Sequence, residues 1–492
     1  MWTSRVLGAV TIPLLKGAQA GVAVVDELRE RSPIILWTSG ESNATAPGLD
    51  PVLTTFFTTG VLAKEIGAAI ISLEHRYWGK SSPFVEQTTA NLQHLTVENA
   101  MQDMINFARH VELPFANGNS SNAAEVPWVL AGDSYSGGLT SWIANLYPGT
   151  FWAYLASSAV VQGIANYWEF WEPAREHMPK NCTKDINLVV EHLDHILETG
   201  TAAEKRKAKA LFELESLQDD DFMVALQWGP AIWQNSNFFL GSAPTEAFCD
   251  HVENAAHEKD PAKLPGADGV GLEKALAGYA RWWNKSGYSD ARCKFIDGEY
   301  VCNYPNKKYL CFETHDPRHP RYMDVTVGNN WWWRQWNWME CNELFGWWAV
   351  APPKGQPTLI SRLINREYYV RQCDLAFPPG PNGETYGLNR GRTVADLNDY
   401  TGGWFAQNAS RIFYANGGYD LWRTVSVSSQ FRPGGPMEST PQAPVRVIPH
   451  GFHETDLFSW NAKADAGDKA VRNEEVAQIA EWVKEWPGYG DR

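Results

Sequence analysis

The stretch VPWVLAGDSYSGGLT, residues 126–140, constrains the fold of this chain more than any other. Residues 126–131 form a short apolar run, which predicts a buried strand. Residues 132–137 (GDSYSG) read as a tight corner, and residues 139–146 (LTSWIANL) continue as a helix. A strand that turns sharply into a helix, with a serine at the turn, lifts Ser134 Oγ clear of its own backbone. The N–H of Tyr135, at the start of the helix, then faces the place where an oxyanion would develop. Gly132 and Ser136 are small enough to let strand and helix approach closely. The competing reading is an ordinary strand-to-helix loop that happens to hold a serine, since Ser136 stands where the G-x-S-x-G pattern has glycine.

The segments around this corner repeat its rhythm. Residues 33–38 (PIILWT) predict a strand running into the loop Ser39, Gly40, Glu41, and residues 52–66 predict a helix. Residues 68–73 (AAIISL) predict a second buried strand, followed by Glu74, His75 and Arg76, a polar cluster expected to brace its loop through an internal salt bridge. Thr96 is placed to cap a helix through Ala100, Met104 and Phe107, and residues 151–161 read as a fourth strand. Apolar strands alternating with helices predict a parallel sheet covered on both faces. From about 166 to 396 the chain turns helical and irregular, and strand-like runs return at 411–415 (RIFYA) and 445–448 (VRVI) before an amphipathic helix at 476–486.

Two loops after these late strands carry the other groups that a serine nucleophile needs. RIFYA leads into Asp420, and VRVI leads into His450 and His453, of which His453 lies deeper in its loop and is the expected base. Ser, then Asp, then His is the chain order of the α/β-hydrolase triad, with a His base oriented by a buried Asp. The fold class expected is therefore an α/β-hydrolase with a large inserted helical lid. Its expected divisions are a leader at 1–20, a first part of the sheet domain at 21–165, the lid at 166–396 and a second part at 397–492.

Composition narrows the partners. A net charge of −15 with no Lys/Arg-rich run argues against nucleic acid. Past the N-terminal segment no apolar run reaches 18 residues, so no membrane span is expected. Arg5, the apolar residues 6–15 and the A-Q-A at 18–20 have the layout of a cleavable leader, with a buried first strand as the alternative. Sequons at Asn43, Asn119, Asn181, Asn284 and Asn408, and seven cysteines without a C-x-x-C pair, fit a secreted or vacuolar/lysosomal protein with disulfides. No metal or cofactor is implied. Peptides are the expected partners, and the sequence leaves a homodimer open.

Six motifs together resemble a known family. They are SGE at 39–41, EHRYWGKS at 74–81, GDSYSG at 132–137, WNWMECNE at 336–343, NGGYDLW at 416–422 and GFHETDL at 451–457. They are similar to those of the serine peptidases that include lysosomal prolyl-Xaa carboxypeptidase, dipeptidyl peptidase II and fungal acid prolyl endopeptidases. The resemblance implies a Ser134, Asp420, His453 triad and cleavage of peptides after proline, in carboxypeptidase, dipeptidyl peptidase or endopeptidase mode, through an acyl-enzyme. It departs at Asp133, where glycine is common, and this residue is of the kind found in the G-E-S-Y-A-G serine carboxypeptidases, the alternative reading. An esterase on the same fold and a catalytically silent binding protein are further alternatives.

Several residues carry more than one reading. The second oxyanion donor is expected from the N–H of Gly40 or Glu41, with Tyr77 as competitor. Glu41 and Asp133 are expected to share a proton near Ser134 and to set an acid optimum lost above about pH 6, or else merely to brace loop backbone. Trp336, Trp338 and Trp422 offer flat faces to a proline ring or serve as core, and Glu343 either binds a substrate amine or pairs internally.

Overall fold

The computed structural model describes residues 5–10, 20–24, 32–44, 54–113, 121–239, 241–256, 258, 260–287, 312–328 and 333–489. Asn119, Cys293, Cys302 and Cys311, Trp331 and Trp332 lie outside the described residues. The chain divides into two compact units: Met1–Ala165, Asp324–Trp347 and Phe377–Arg492 form the first, and Asn166–Met323 with Trp348–Ala376 the second. Residues 324–347 and 377–396, assigned to the lid by their helical, irregular sequence, thus lie in the first unit. Their partners are there: Gln87 N donates to Val325 O, and Thr89 Oγ1 to Pro378 O.

The first unit is built on a sheet whose described strands are β1 (Arg5–Val10), β2 (Ala20–Val24), β3 (Ile34–Thr38), β4 (Ala69–Leu73), β5 (Trp128–Asp133), β6 (Ala153–Ser157), β7 (Ile412–Gly417) and β8 (Val445–Ile448). Their order across the sheet is β1-β2-β4-β3-β5-β6-β7-β8. From β4 to β8 every neighbouring pair is parallel, whereas β2 runs antiparallel to both β1 and β4. Residues 5–10, read from sequence as part of a leader, form the outermost described strand, paired with β2.

β3, β4 and β6 are buried along their whole length, which is why they read as continuous apolar runs and not as alternating ones. Helix α1 (Thr58–Ile66) and the C-terminal helix Ala466–Lys484 pack together over one face, around Ile35, Trp37, Leu62, Phe413 and Trp482. Helix α2 (Val97–His110) starts where Thr96 Oγ1 accepts from Asn99 N at 3.1 Å, and it packs on α3 (Ser134–Leu146). A mainly parallel sheet with helices between its strands, and a serine between β5 and α3, is the α/β-hydrolase fold.

The second unit is helical. Thr201 and Glu204 form a reciprocal capping box for Ala202–Ala210, legible in the sequence as T-x-x-E. A disulfide between Cys182 and Cys249 ties Lys180–Thr199 to Ala243–Val252. Asn181 donates Nδ2 to Glu253 and Asn284 donates Nδ2 to Leu211 O, so a glycan at either sequon would have to replace those bonds.

Candidate active site

The corner at the serine is tighter than the sequence suggests. β5 runs on to Asp133 and α3 begins at Ser134, so a single residue, Ser134 at φ 48, makes the turn that residues 132–137 were expected to share. Backbone strain of this kind at a non-glycine residue persists only where the surroundings enforce it. Here they do. Ser136 Oγ accepts from Asp133 N at 3.0 Å, and Val160 N donates to Ser134 O at 3.2 Å. A Cβ at Gly132 would stand 2.5 Å from Ser136 O, and one at Gly138 2.4 Å from Val160 O. Ser134 is partly exposed while Tyr135 and Ser136 are buried.

The loops after the two last strands converge. Asp420, 1% exposed, follows β7, and its Oδ1 accepts from Trp422 N at 2.8 Å. Its Oδ2 lies 2.9 Å from His453 Nδ1, on the loop after β8. His450 turns away at φ 60 and packs on the Tyr419 ring, so of the two histidines it is His453 that meets Asp420. His453 Nε2 lies 3.1 Å from Oε1 of Glu454. Burial pulls the imidazole pKa down, but Asp420 and Glu454, one on each nitrogen, outweigh it and hold the ring well above its ordinary value.

Around His453 stand more carboxyls than the sequence alone predicted. Burial, with the nearby Glu454 charge, pushes Glu41 up to about 7. Burial, then Glu454, with Glu41 adding to both, raises Asp133 well above the usual carboxylate range. Asp133 thus lies in the field of Glu41, and Glu454, which acts on both, is a third carboxyl beside them. Nothing in a single sequence separates a Glu beside a histidine from an ordinary loop residue.

Gly40, at φ +55, brings the loop after β3 against the corner, and a Cβ there would stand 3.2 Å from Ser136 Cβ. The N–H groups of Gly40 and Glu41 therefore belong to a loop that touches α3 beside Ser134. Tyr77 donates its hydroxyl to Asn91 O, which commits it away from an oxyanion. The polar cluster next to it is assembled differently from the expected internal salt bridge. Arg76 makes a bidentate pair with Asp103, at 2.6 and 2.7 Å, while Glu74 Oε2 accepts from Lys80 N, Ser81 N and Ser81 Oγ. His75, buried and pushed down to about 4 by that burial, lies 3.2 Å from Tyr135 Oη.

An aromatic series runs from Tyr135 to His453. Ring centroids are 5.4 Å apart for Tyr135 and Trp336, 6.2 Å for Trp336 and Trp347, 6.3 Å for Trp347 and Trp422, and 6.5 Å for Trp422 and His453. Trp347 lies four residues past the WNWMECNE motif, where no sequence signal marks it. Trp338 is a correction: it is fully buried, donates Nε1 to Leu95 O at 3.1 Å and packs on Phe377, so it is core and not contact surface. Glu343 accepts from Val97 N at the start of α2 and lies 3.4 Å from Arg392 Nη1, which is internal pairing. In the second unit, ligand atoms of Asp220, Asp221 and His315 lie within 4.8 Å of one another. Arg371 Nη1 on Asp220 and Thr314 N on Asp221, at 2.8 and 2.9 Å, already supply their carboxylates with donors.

Comparison with known proteins gives a consistent picture. Residues 26–232 match the model of the family described as serine carboxypeptidase S28. The serine protease vicPa of Bipolaris victoriae is 35% identical over 92% of this chain and 82% of its own length. A "probable extracellular serine carboxypeptidase" of Arthroderma benhamiae is 27% identical over 93% of this chain and 62% of its own. The thymus-specific serine protease of Mus musculus is 23% identical over 92% of this chain and 81% of its own.

Proposed function

The chain belongs to the serine carboxypeptidase S28 family and is a serine-type peptidase, and from that premise we propose that it cleaves peptides after proline through an acyl-enzyme on Ser134. Ser134 Oγ attacks the scissile carbonyl as His453 Nε2 takes its proton, and Asp420 orients the ring through Nδ1. The N–H groups of Tyr135 and of Gly40 or Glu41 receive the oxyanion. His453 then returns the proton to the leaving amine, and water repeats the sequence on the ester. The observation that carries this assignment is the 2.9 Å pair of Asp420 and His453 on neighbouring loops after β7 and β8. Labelling by a fluorophosphonate tests it: the probe should attach to Ser134 in the folded protein and leave the Ser134→Ala variant unmarked.

Preference for proline is supported by the flat rings of Trp336 and Trp422, which a pyrrolidine ring packs against well. Work at acid pH is supported by Glu41, neutral below about pH 7 and charged above it, and by Asp133, which burial holds well above the usual carboxylate range. Neutral carboxyls can receive a peptide's terminal carboxylate, and ionised ones repel it. An oxidising, secreted or vacuolar/lysosomal location is supported by the Cys182–Cys249 disulfide. It also fits the extracellular description of the Arthroderma relative. No helix among the described residues is long and apolar enough to cross a membrane.

A further inference from the structure

The nitrogen of His453 that must take the serine proton already has a partner. Its Nε2 lies 3.1 Å from Glu454 Oε1, while Nδ1 is held by Asp420. Glu454 is not placed there loosely. Its backbone sits at φ 59, in the left-handed region, and its N–H donates to Ser158 Oγ at 3.0 Å. The same post-β6 segment fixes the nucleophile, because Val160 N donates to Ser134 O. One short loop thus anchors both the backbone of Ser134 and the backbone of the residue that covers its base.

We infer that Glu454 is a positioning residue that holds the general-base nitrogen of His453 in the free protein, and that Ser134 becomes nucleophilic only after this carboxylate has given the nitrogen up. The inference rests on the reading of His453 as base of Ser134. A ring flanked by carboxylates on both nitrogens favours imidazolium, and an imidazolium accepts no proton. Before attack, the Nε2 proton therefore passes to the Glu454 carboxylate or to solvent, which leaves neutral imidazole with Nε2 free. The Ser134 proton then moves onto Nε2 as Oγ bonds to the carbonyl carbon. The titratable groups facing this pair are Asp420 after β7, Glu41 after β3, Asp133 at the end of β5 and Asp456 on the same loop. All four are carboxyls, so none brings a positive charge that would oppose the imidazolium, and Asp420 together with Glu454 keeps the ring charged. The latch also reconciles a base held charged in the free protein with work at acid pH: the substrate complex, not the free protein, would contain the neutral ring.

The test is the second-order rate of fluorophosphonate labelling at Ser134 against pH, in wild type, Glu454→Gln and Glu454→Asp. This probe reads the serine without depending on peptide specificity. The wild-type acid limb reports His453 in the free protein. In Glu454→Gln it should move to lower pH by about one unit, so that labelling about one unit below the wild-type midpoint becomes roughly 5- to 10-fold faster. Glu454→Asp keeps the charge and should fall between the two. An equal loss at every pH with an unmoved midpoint would show a merely structural role and overturn the inference. Wild type that is folded yet unlabelled at any pH would instead overturn the assignment of Ser134. Should the variants fail to fold, the wild-type protein decides: its ¹⁵N-histidine spectrum, assigned with His453→Asn, should show imidazolium at pH 7, and a neutral ring there would contradict the latch.

Discussion

His453 Nδ1 and Asp420 Oδ2 meet at 2.9 Å across 33 residues of chain, each carried by the loop that follows one of two paired parallel strands. The Asp is fully enclosed and its second oxygen is fixed by Trp422 N, so it can act only by orienting and charging the ring. Asp420→Asn should preserve the loop but present the wrong tautomer to Ser134, with kcat falling by about 10⁴-fold. Circular dichroism and peptide turnover on the same preparation check this. A loss of less than tenfold would remove Asp420 from the reaction.

Asp133→Asn addresses the proposed acid range. Carboxyls with raised pKa values are protonated below those values and charged above them, so wild-type turnover of a C-terminally free peptide should fall as pH passes about 7, where Glu41 ionises. Without the Asp133 charge this alkaline limb should move upward or flatten. A profile of kcat/KM from pH 4 to 8 that superimposes on wild type would leave the two carboxyls as loop braces.

Behind the His453 loop a second carboxyl group affects stability. Asp456, Asp468 and Glu475 are each at most 1% exposed, with Arg472 among them and Ser157 Oγ donating to Asp456 at 2.8 Å. Burial raises Asp456 to about 6 and Asp468 to about 8, and burial with its neighbours' charge holds Glu475 well above the usual carboxylate range. The folded protein therefore binds more protons than the unfolded chain between the ordinary carboxyl range and about pH 8. The stability that these three groups contribute is fully present below that range and is lost as pH rises through it. Thermal melts should show Tm falling by several degrees between pH 5 and 8, and Asp468→Asn should weaken that dependence. A Tm that rises over this interval would contradict the burial argument.

Gly138→Ala tests the fit of α3 against the loop after β6. Its Cβ would meet Val160 O, a backbone atom that cannot swing aside, and Val160 N holds the Ser134 carbonyl. Overpacking should cost about 1–3 kcal/mol and reduce labelling of Ser134 beyond the loss of folded protein. Gly266→Ala, which faces open space, should stay within about 0.5 kcal/mol of wild type in urea titrations.

What could be read from sequence was what depends on neighbours in the chain. β3 and β4 are fully enclosed, as is β5 up to Gly132, and so they leave unbroken apolar runs, and Thr96 announces α2. The loops carrying Asp420 and His453 could be placed because each follows such a run. The turn at Ser134 is narrower than residues 132–137 suggest because backbone conformation at one residue, φ 48, leaves no signal in residue type. Glu454, Trp347, Trp338 and Glu343 are illegible in sequence for a related reason. Whether a side chain in a motif points to the site, to Leu95 O or to the first turn of α2 depends on packing between segments far apart in sequence.

The most direct measurement is digestion of one proline-containing peptide, in free, N-blocked and C-blocked forms, at pH 4.5 and 7 with Ser134→Ala alongside, read by mass spectrometry. The account predicts cleavage on the carboxyl side of proline, faster at pH 4.5 and absent in Ser134→Ala, and the form that resists cleavage identifies the peptide end that is recognised. Well-folded protein that leaves all three forms intact, or cuts them equally well with Ala at position 134, would contradict it.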